Sequence, residues 1–190
     1  RMSLRLLKGP LTVDDYHRLA EVGILHEDDR VELLDGQIVE MTPIGPDHAG
    51  CVDALNRLFS RLAEHAAIVR VQNPVVLGER WEPQPDLTLL RPRSDGYRKA
   101  HPGADDILLV IEVADASLRR DREVKLPHYA ATGIPEVWLV DLERDVVEVH
   151  RRPTPEGYRD VRALSRGDTL VALLVPGAAI AVDDVLGPRR

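Results

Sequence analysis

The clearest pattern along the chain is a stretch with almost no polar residue. Residues 107–113 read Ile-Leu-Leu-Val-Ile-Glu-Val, the pattern of a strand buried on both faces. Residues 84–90 precede it as a second strand, entered through Pro83 and Pro85, where proline is tolerated because the first residue of a strand need not donate. Residues 136–142 read Glu-Val-Trp-Leu-Val-Asp-Leu and predict a third buried strand, with residues 146–150 as its alternating partner across a short polar turn. Further strands are predicted at 158–164 and 170–175, and an extended run at 68–77. Near the N-terminus, Asp35-Gly36 separates two short apolar runs, which signals a hairpin with strands at 31–34 and 37–41.

Helical spacing replaces alternation elsewhere. Ala49, Val52, Leu55, Leu58, Leu62 and Ala66 recur on one helical face, so residues 47–67 predict an amphipathic helix packed on the sheet. Thr12 caps an earlier helix, Asp14 and Asp15 suit its positive end, and Gly23 closes it. A third helix is predicted to begin near Glu123. Pro127 lacks an N–H and would crowd the preceding turn, so it is tolerable only close to a helix start. Gly133 ends that helix, and residues 183–186 form a short terminal turn. The expectation is α+β (or α/β): one mixed sheet with helices against it, in a single domain over residues 1–190.

Two carboxylates break this pattern. Glu112 lies inside the most apolar run, and Asp86 stands at the entrance of the strand before it. An ionised carboxylate buried there is costly unless paired. Two on neighbouring strands repel unless a cation or a shared proton lies between them. A hard divalent cation such as Mg²⁺ is one answer; an arginine or solvent at each strand end is the other. Lys125 and Tyr129 share a helix face. If that face meets the sheet, the Lys125 ammonium approaches Glu112. Glu32 lies between Val31 and Leu33, and alternation alone predicts that it faces solvent. His48, near a helix start, reads as a cap or surface residue.

Charge adds one local feature. The chain has 25 Lys and Arg against 32 Asp and Glu, a net charge of −7, which argues against a general nucleic-acid binder. Yet the loop 91–103 carries Arg91, Arg93, Arg98, Lys99 and His101, and Arg119, Arg120 and Arg122 follow the Glu112 strand. Such clusters beside buried acids suggest a phosphate-binding surface, against the alternative of a solvated loop. Cys51 is the single cysteine, so no internal disulfide and no cysteine zinc site is expected. Neither a bilayer-spanning run nor a signal peptide is evident, so a cytoplasmic setting without membrane association is expected.

The ordered set Arg30-Val-Glu-Leu-Leu-Asp-Gly, Pro85-Asp86, Ile111-Glu112-Val113, Ser117, Asp121, Lys125, Tyr129 and residues 133–141 resembles the Uma-two group of restriction-endonuclease-like proteins. That group belongs to the PD-(D/E)XK nuclease superfamily. The resemblance spans roughly residues 11–186. It departs from the superfamily pattern at one place: Ala114 stands where a lysine is usual two residues after the second acid. The resemblance implies that the lysine has migrated to Lys125. It further implies that Asp86, Glu112 and the Val113 carbonyl hold Mg²⁺ or Mn²⁺, with Glu32 completing the acidic cluster. Lys125 would orient the attacking water. Tyr129, Ser117, Arg98, Lys99, Arg122 and His48 would position the substrate backbone.

The function implied is metal-dependent endonucleolytic hydrolysis of DNA, in a homodimer and without an organic cofactor. Two other readings remain open at this stage. One is a nuclease fold without turnover that binds nucleic acid or a protein partner. The other is a structural domain whose acids form ordinary ion pairs.

Overall fold

A computed structural model describes residues 9–26, 28–114 and 118–188. Its centre is a six-stranded mixed sheet in the order β3-β4-β5-β6-β7-β8, built from Ile68–Val71, Leu87–Leu90, Ile107–Ala114, Glu136–Asp141, Val146–Thr154 and Gly157–Ser165. β5 and β6 are the parallel pair; the other neighbours are antiparallel. A parallel pair needs a crossover. Here it is helical: α3 (Leu118–Arg120), a π-helical turn (Asp121–Lys125) and α4 (Leu126–Ala131).

β5 is buried along its whole length, as its unbroken apolar sequence requires. Its two faces supply two cores. Leu109, Ile111 and Val113 join Leu87, Leu89, Trp138 and Val140 beneath α2 (Pro46–Leu62), whose Cys51, Val52, Leu55 and Phe59 point inward. Val110 and Ala114 face the other way, among Leu126, Tyr129, Ile134, Val137 and Leu139. Glu112 occupies the position between Val110 and Ala114 in that second row. The period of two therefore sends its side chain beneath the crossover helices.

The N-terminal region forms a smaller unit beside the sheet. β1 (Val31–Leu34) and β2 (Gln37–Glu40) pair antiparallel through the Asp35-Gly36 turn, both residues of which have positive φ. Gly36 is required twice over. A Cβ there would lie 2.5 Å from the Pro10 Cβ and 2.8 Å from the Leu11 nitrogen. α1 (Val13–Glu21) starts with a capping box in which Thr12 and Asp15 satisfy each other's backbone N–H groups. Its Leu19 packs with Leu11 and Leu33. At the C-terminal end, β9 (Thr169–Val171) pairs with β10 (Ala179–Ala181), and α5 (Val182–Leu186) follows. α5 turns the expected terminal turn into a short helix, and β10 is a strand the pattern does not announce.

The third helix differs from expectation. It begins at Leu118, not near Glu123, so Pro127 sits in its interior. The widened turn accommodates it: the Leu126 N–H bonds the Asp121 carbonyl five residues back. Among the described residues, no helix is long and apolar enough to cross a membrane.

Candidate active site

The acids converge because three separate elements end at one place. Glu112 lies near the C-terminal end of β5. Asp86 immediately precedes β4, whose antiparallel register pairs Leu87 with Ile111 and so brings Asp86 to the same end of the sheet. The hairpin delivers Glu32 from the side. Lys125, in the π turn, is buried among them. Its Nζ lies 3.0 Å from Glu32 Oε2, 3.3 Å from Glu112 Oε1 and 3.7 Å from Asp121 Oδ1. The Tyr129 hydroxyl donates to Glu112 Oε1 at 2.6 Å. The Val113 N–H donates to Asp86 Oδ2 at 2.8 Å, a bond open to it because β4 pairs no further than Ile111. Gln84 N–H donates to Glu32 Oε2 at 3.2 Å.

These groups line a cleft of about 60 Å³ whose mouth carries Arg30, Met41, Ile44, His48 and Arg120. Such a volume holds a hydrated cation or a few waters, since one water needs about 10–15 Å³ by this measure. Among the described residues, the buried charges lining it are Glu32, Asp86, Glu112 and Asp121 against Lys125 alone. Burial pushes the Glu112 carboxyl well above its ordinary 4.5; Lys125 opposes that shift, while Asp121 and Asp86 add to it. Burial by itself would lower the Lys125 pKa, but Glu112, Glu32 and Asp121 outweigh it and raise it. Lys125 is therefore an ammonium at all relevant pH. Tyr129 is raised by burial and by Glu112, so it remains a neutral donor.

Several placements differ from the expectations. Glu32 does not face solvent. Leu33 packs against Leu11 and Leu19 on one side of the hairpin, which leaves Glu32 facing Lys125 on the other. His48 is neither a cap nor a surface residue: its Nε2 lies 3.1 Å from Asp86 Oδ1. Tyr129 is fully buried and touches Glu112, so it cannot contact a phosphate backbone and acts on the carboxylate instead. Arg122 turns away to Glu148 at 2.6 Å and Asp141 at 3.8 Å.

Arg98 and Lys99 are also elsewhere. Their loop joins Leu90 to Ile107, the strand ends remote from Asp86 and Glu112. Tyr97 anchors it there through Arg91 and Asp106. Neither residue lines the cleft, so the basic loop and the acids belong to opposite ends of the strands. Ser117 lies outside the described residues.

Residues not singled out for a role also line the cleft. Asp121 precedes Lys125 by one helical turn, a spacing that the ordered set Asp121, Lys125, Tyr129 already contains. Arg120 is the member of the second basic cluster that reaches the mouth, where it donates to the Glu40 carbonyl at 2.9 Å. Arg30 opens the hairpin motif and Gln84 the second predicted strand, but nothing in the sequence places either in the cleft, because their approach depends on the hairpin's docking.

A family model described as "Putative restriction endonuclease", Uma2, matches residues 13–183. Among solved structures, the crystal structure of a "putative nuclease belonging to DUF820" from Anabaena variabilis ATCC 29413 has the same fold. It has a TM-score of 0.74 at 17% identity and covers 93% of this chain and 98% of its own. No curated protein sequence matches the chain.

Proposed function

The chain belongs to the Uma2 family of restriction-endonuclease-like proteins, and on that premise we propose that it is a metal-dependent nuclease that hydrolyses DNA phosphodiesters at the acidic cleft. The observation that carries this reading is the burial of Lys125 between Glu32, Glu112 and Asp121 in a cleft that also holds Asp86. Converging carboxylate oxygens suit Mg²⁺ or Mn²⁺, and among the described residues the buried carboxylates lining the cleft outnumber its one buried ammonium.

Asp86 and Glu112 would hold the ion. The Val113 carbonyl leaves the strand on the same edge as the N–H that bonds Asp86 and would add a third oxygen. A bound divalent cation supplies Lewis-acid polarisation of the phosphodiester and a water of lowered pKa. The protein's own residues do the rest. Tyr129 and Lys125 fix one Glu112 oxygen. The Val113 N–H and His48 fix the Asp86 carboxylate. Lys125, permanently charged, offsets negative charge that develops on the phosphoryl oxygens or holds the attacking water. Arg120 and Arg30 stand at the mouth, where a phosphate backbone would enter.

The test is cleavage of supercoiled and linear DNA by the wild type in Mg²⁺ or Mn²⁺. Glu112→Ala and Lys125→Ala should each lower the rate about 100-fold or more, the scale of losing a preorganised charge partner. Cleavage by Glu112→Ala at the wild-type rate would remove the cleft from the mechanism. A second reading is a protein of this fold that binds nucleic acid or a protein partner without turnover; the net charge of −7 and the remoteness of Arg98 and Lys99 from the cleft favour the protein partner. Both forms predict no cleavage by the wild type, and only the nucleic-acid form predicts DNA retardation, surviving Glu112→Ala.

A further inference from the structure

A second convergence of ligand-type side chains lies outside the acidic cleft. Glu82 is buried four residues before Asp86 and bridges Leu33 of the hairpin. His17 reaches it from α1, with Nε2 2.6 Å from Glu82 Oε2. His101 approaches from the loop 91–103; its ring centroid lies 6.2 Å from that of His17, edge-on at 65°. One donor atom from each of the three lies within 4.8 Å of the other two. None of them lines the acidic cleft.

A hydrogen bond from His17 alone would satisfy the buried Glu82 carboxylate. It does not account for His101. His101 brings a third donor atom to the same place from a different element. We infer that His17, Glu82 and His101 form a binding site for a borderline divalent transition ion, Zn²⁺ foremost.

Two imidazole nitrogens and a carboxylate with one open position form a known zinc ligand set. Mg²⁺ prefers oxygen alone, whereas Ni²⁺ and Cu²⁺ would compete for this set. Bond lengths of about 2.0–2.2 Å place tetrahedral donors about 3.4 Å apart. The His17–Glu82 pair, at 2.6 Å, must therefore open by about an ångström, and His101, whose donor lies within 4.8 Å of the other two, needs at most about 1.4 Å of closure. His17 is half-exposed and His101 exposed, so both can move without repacking the core, while Glu82 stays fixed as the anchor. The ion would tie α1 and the loop 91–103 to the segment that leads through Gln84 to Asp86.

The test is calorimetric titration of Zn²⁺ into the full chain in millimolar Mg²⁺, which competes at the carboxylates of the acidic cleft. One Zn²⁺ per chain is expected. His101→Ala should weaken it at least about tenfold, since losing even an outer-shell partner of a metal ligand costs that much. Thermal melts in chelator should coincide for the two proteins, because His101 is exposed. Zn²⁺ should raise the melting temperature of the wild type more than that of His101→Ala. Zn²⁺ affinity in His101→Ala within twofold of wild type would overturn the site, as would a wild type that takes up no Zn²⁺ under these conditions. Neither result depends on whether the acidic cleft cuts DNA.

Discussion

Replacing Lys125 by methionine keeps most of the side-chain volume and removes the one buried ammonium from the cleft. The Glu112 pair at 3.3 Å is worth about 5 kcal/mol at an effective dielectric constant of about 20. The Glu32 and Asp121 pairs at 3.0 and 3.7 Å are similar. Their sum overstates the loss, because removing Lys125 also removes its own desolvation cost. An abandoned carboxylate can moreover take up a proton. At pH 7, protonating a group whose ordinary pKa is 4.5 costs about 3.4 kcal/mol, at 1.36 kcal/mol per unit. That cost caps the penalty at Glu112 and falls to about 0.7 kcal/mol at pH 5. Lys125→Met should therefore destabilise the metal-free protein by about 3–5 kcal/mol at pH 7, the range for breaking a buried pair, and by about 1 kcal/mol at pH 5.

The direction follows from linkage. Glu112, whose folded pKa is raised, contributes stability fully present below its unfolded pKa and lost as pH rises through the folded value. Lys125 itself titrates far above this window, because its folded pKa is raised from 10.5. Urea unfolding of both proteins in chelator at pH 5, 6 and 7 reads the difference. A deficit that stays constant across that range would refute the reasoning, and so would one below about 1 kcal/mol at pH 7.

Two further outcomes follow from the same geometry. The wild type without metal should lose stability as pH rises above 4.5, through the raised Glu112 pKa. Saturating Mg²⁺ should restore about 1–3 kcal/mol by mass action; Glu112→Gln should flatten the pH slope and gain much less from Mg²⁺, and equal Mg²⁺ shifts in thermal melts would contradict this. Tyr129→Phe removes the 2.6 Å bond to Glu112. It should cost about 1.5–3 kcal/mol, the range for a hydrogen bond to a charged group, and raise the Glu112 pKa further. Its calorimetric Mg²⁺ affinity should then fall more at pH 6 than at pH 8, and a pH-independent loss would count against it.

Periodicity carries the sheet because each central strand meets one uniform environment. β5 is buried on both faces, and its apolar run says so directly. Glu112 is legible for the same reason: a charge in such a run stands out against its surroundings. Glu32 is not, because alternation describes the hairpin as if it stood alone, and only its docking over the crossover buries the outer face. His48 fails similarly, since the spacing of α2 does not reveal that its first turn abuts Asp86. The basic loop misleads for a topological reason. Closeness in sequence to two acids becomes distance in space when the loop connects the far ends of antiparallel strands.

The crossover helix shows how a lysine absent from position 114 can still reach the acids. Asp121, Lys125 and Tyr129 are spaced by four residues, and all three are buried toward the sheet. In a regular α-helix of 3.6 residues per turn, each four-residue step overshoots by about 40°. Two steps would turn Asp121 and Tyr129 about 80° apart and carry one of them off the buried face. A turn closed by a bond five residues back is wider and drifts the other way. The π turn at Asp121–Lys125 thus offsets the α turn that follows it, and the three side chains fall nearly in line. Pro127 gives a local cause. It lacks the N–H that would close an α turn onto Glu123, and its ring would crowd that carbonyl. The proline that argues against a helix interior is then part of what aims Lys125 at Glu32 and Glu112.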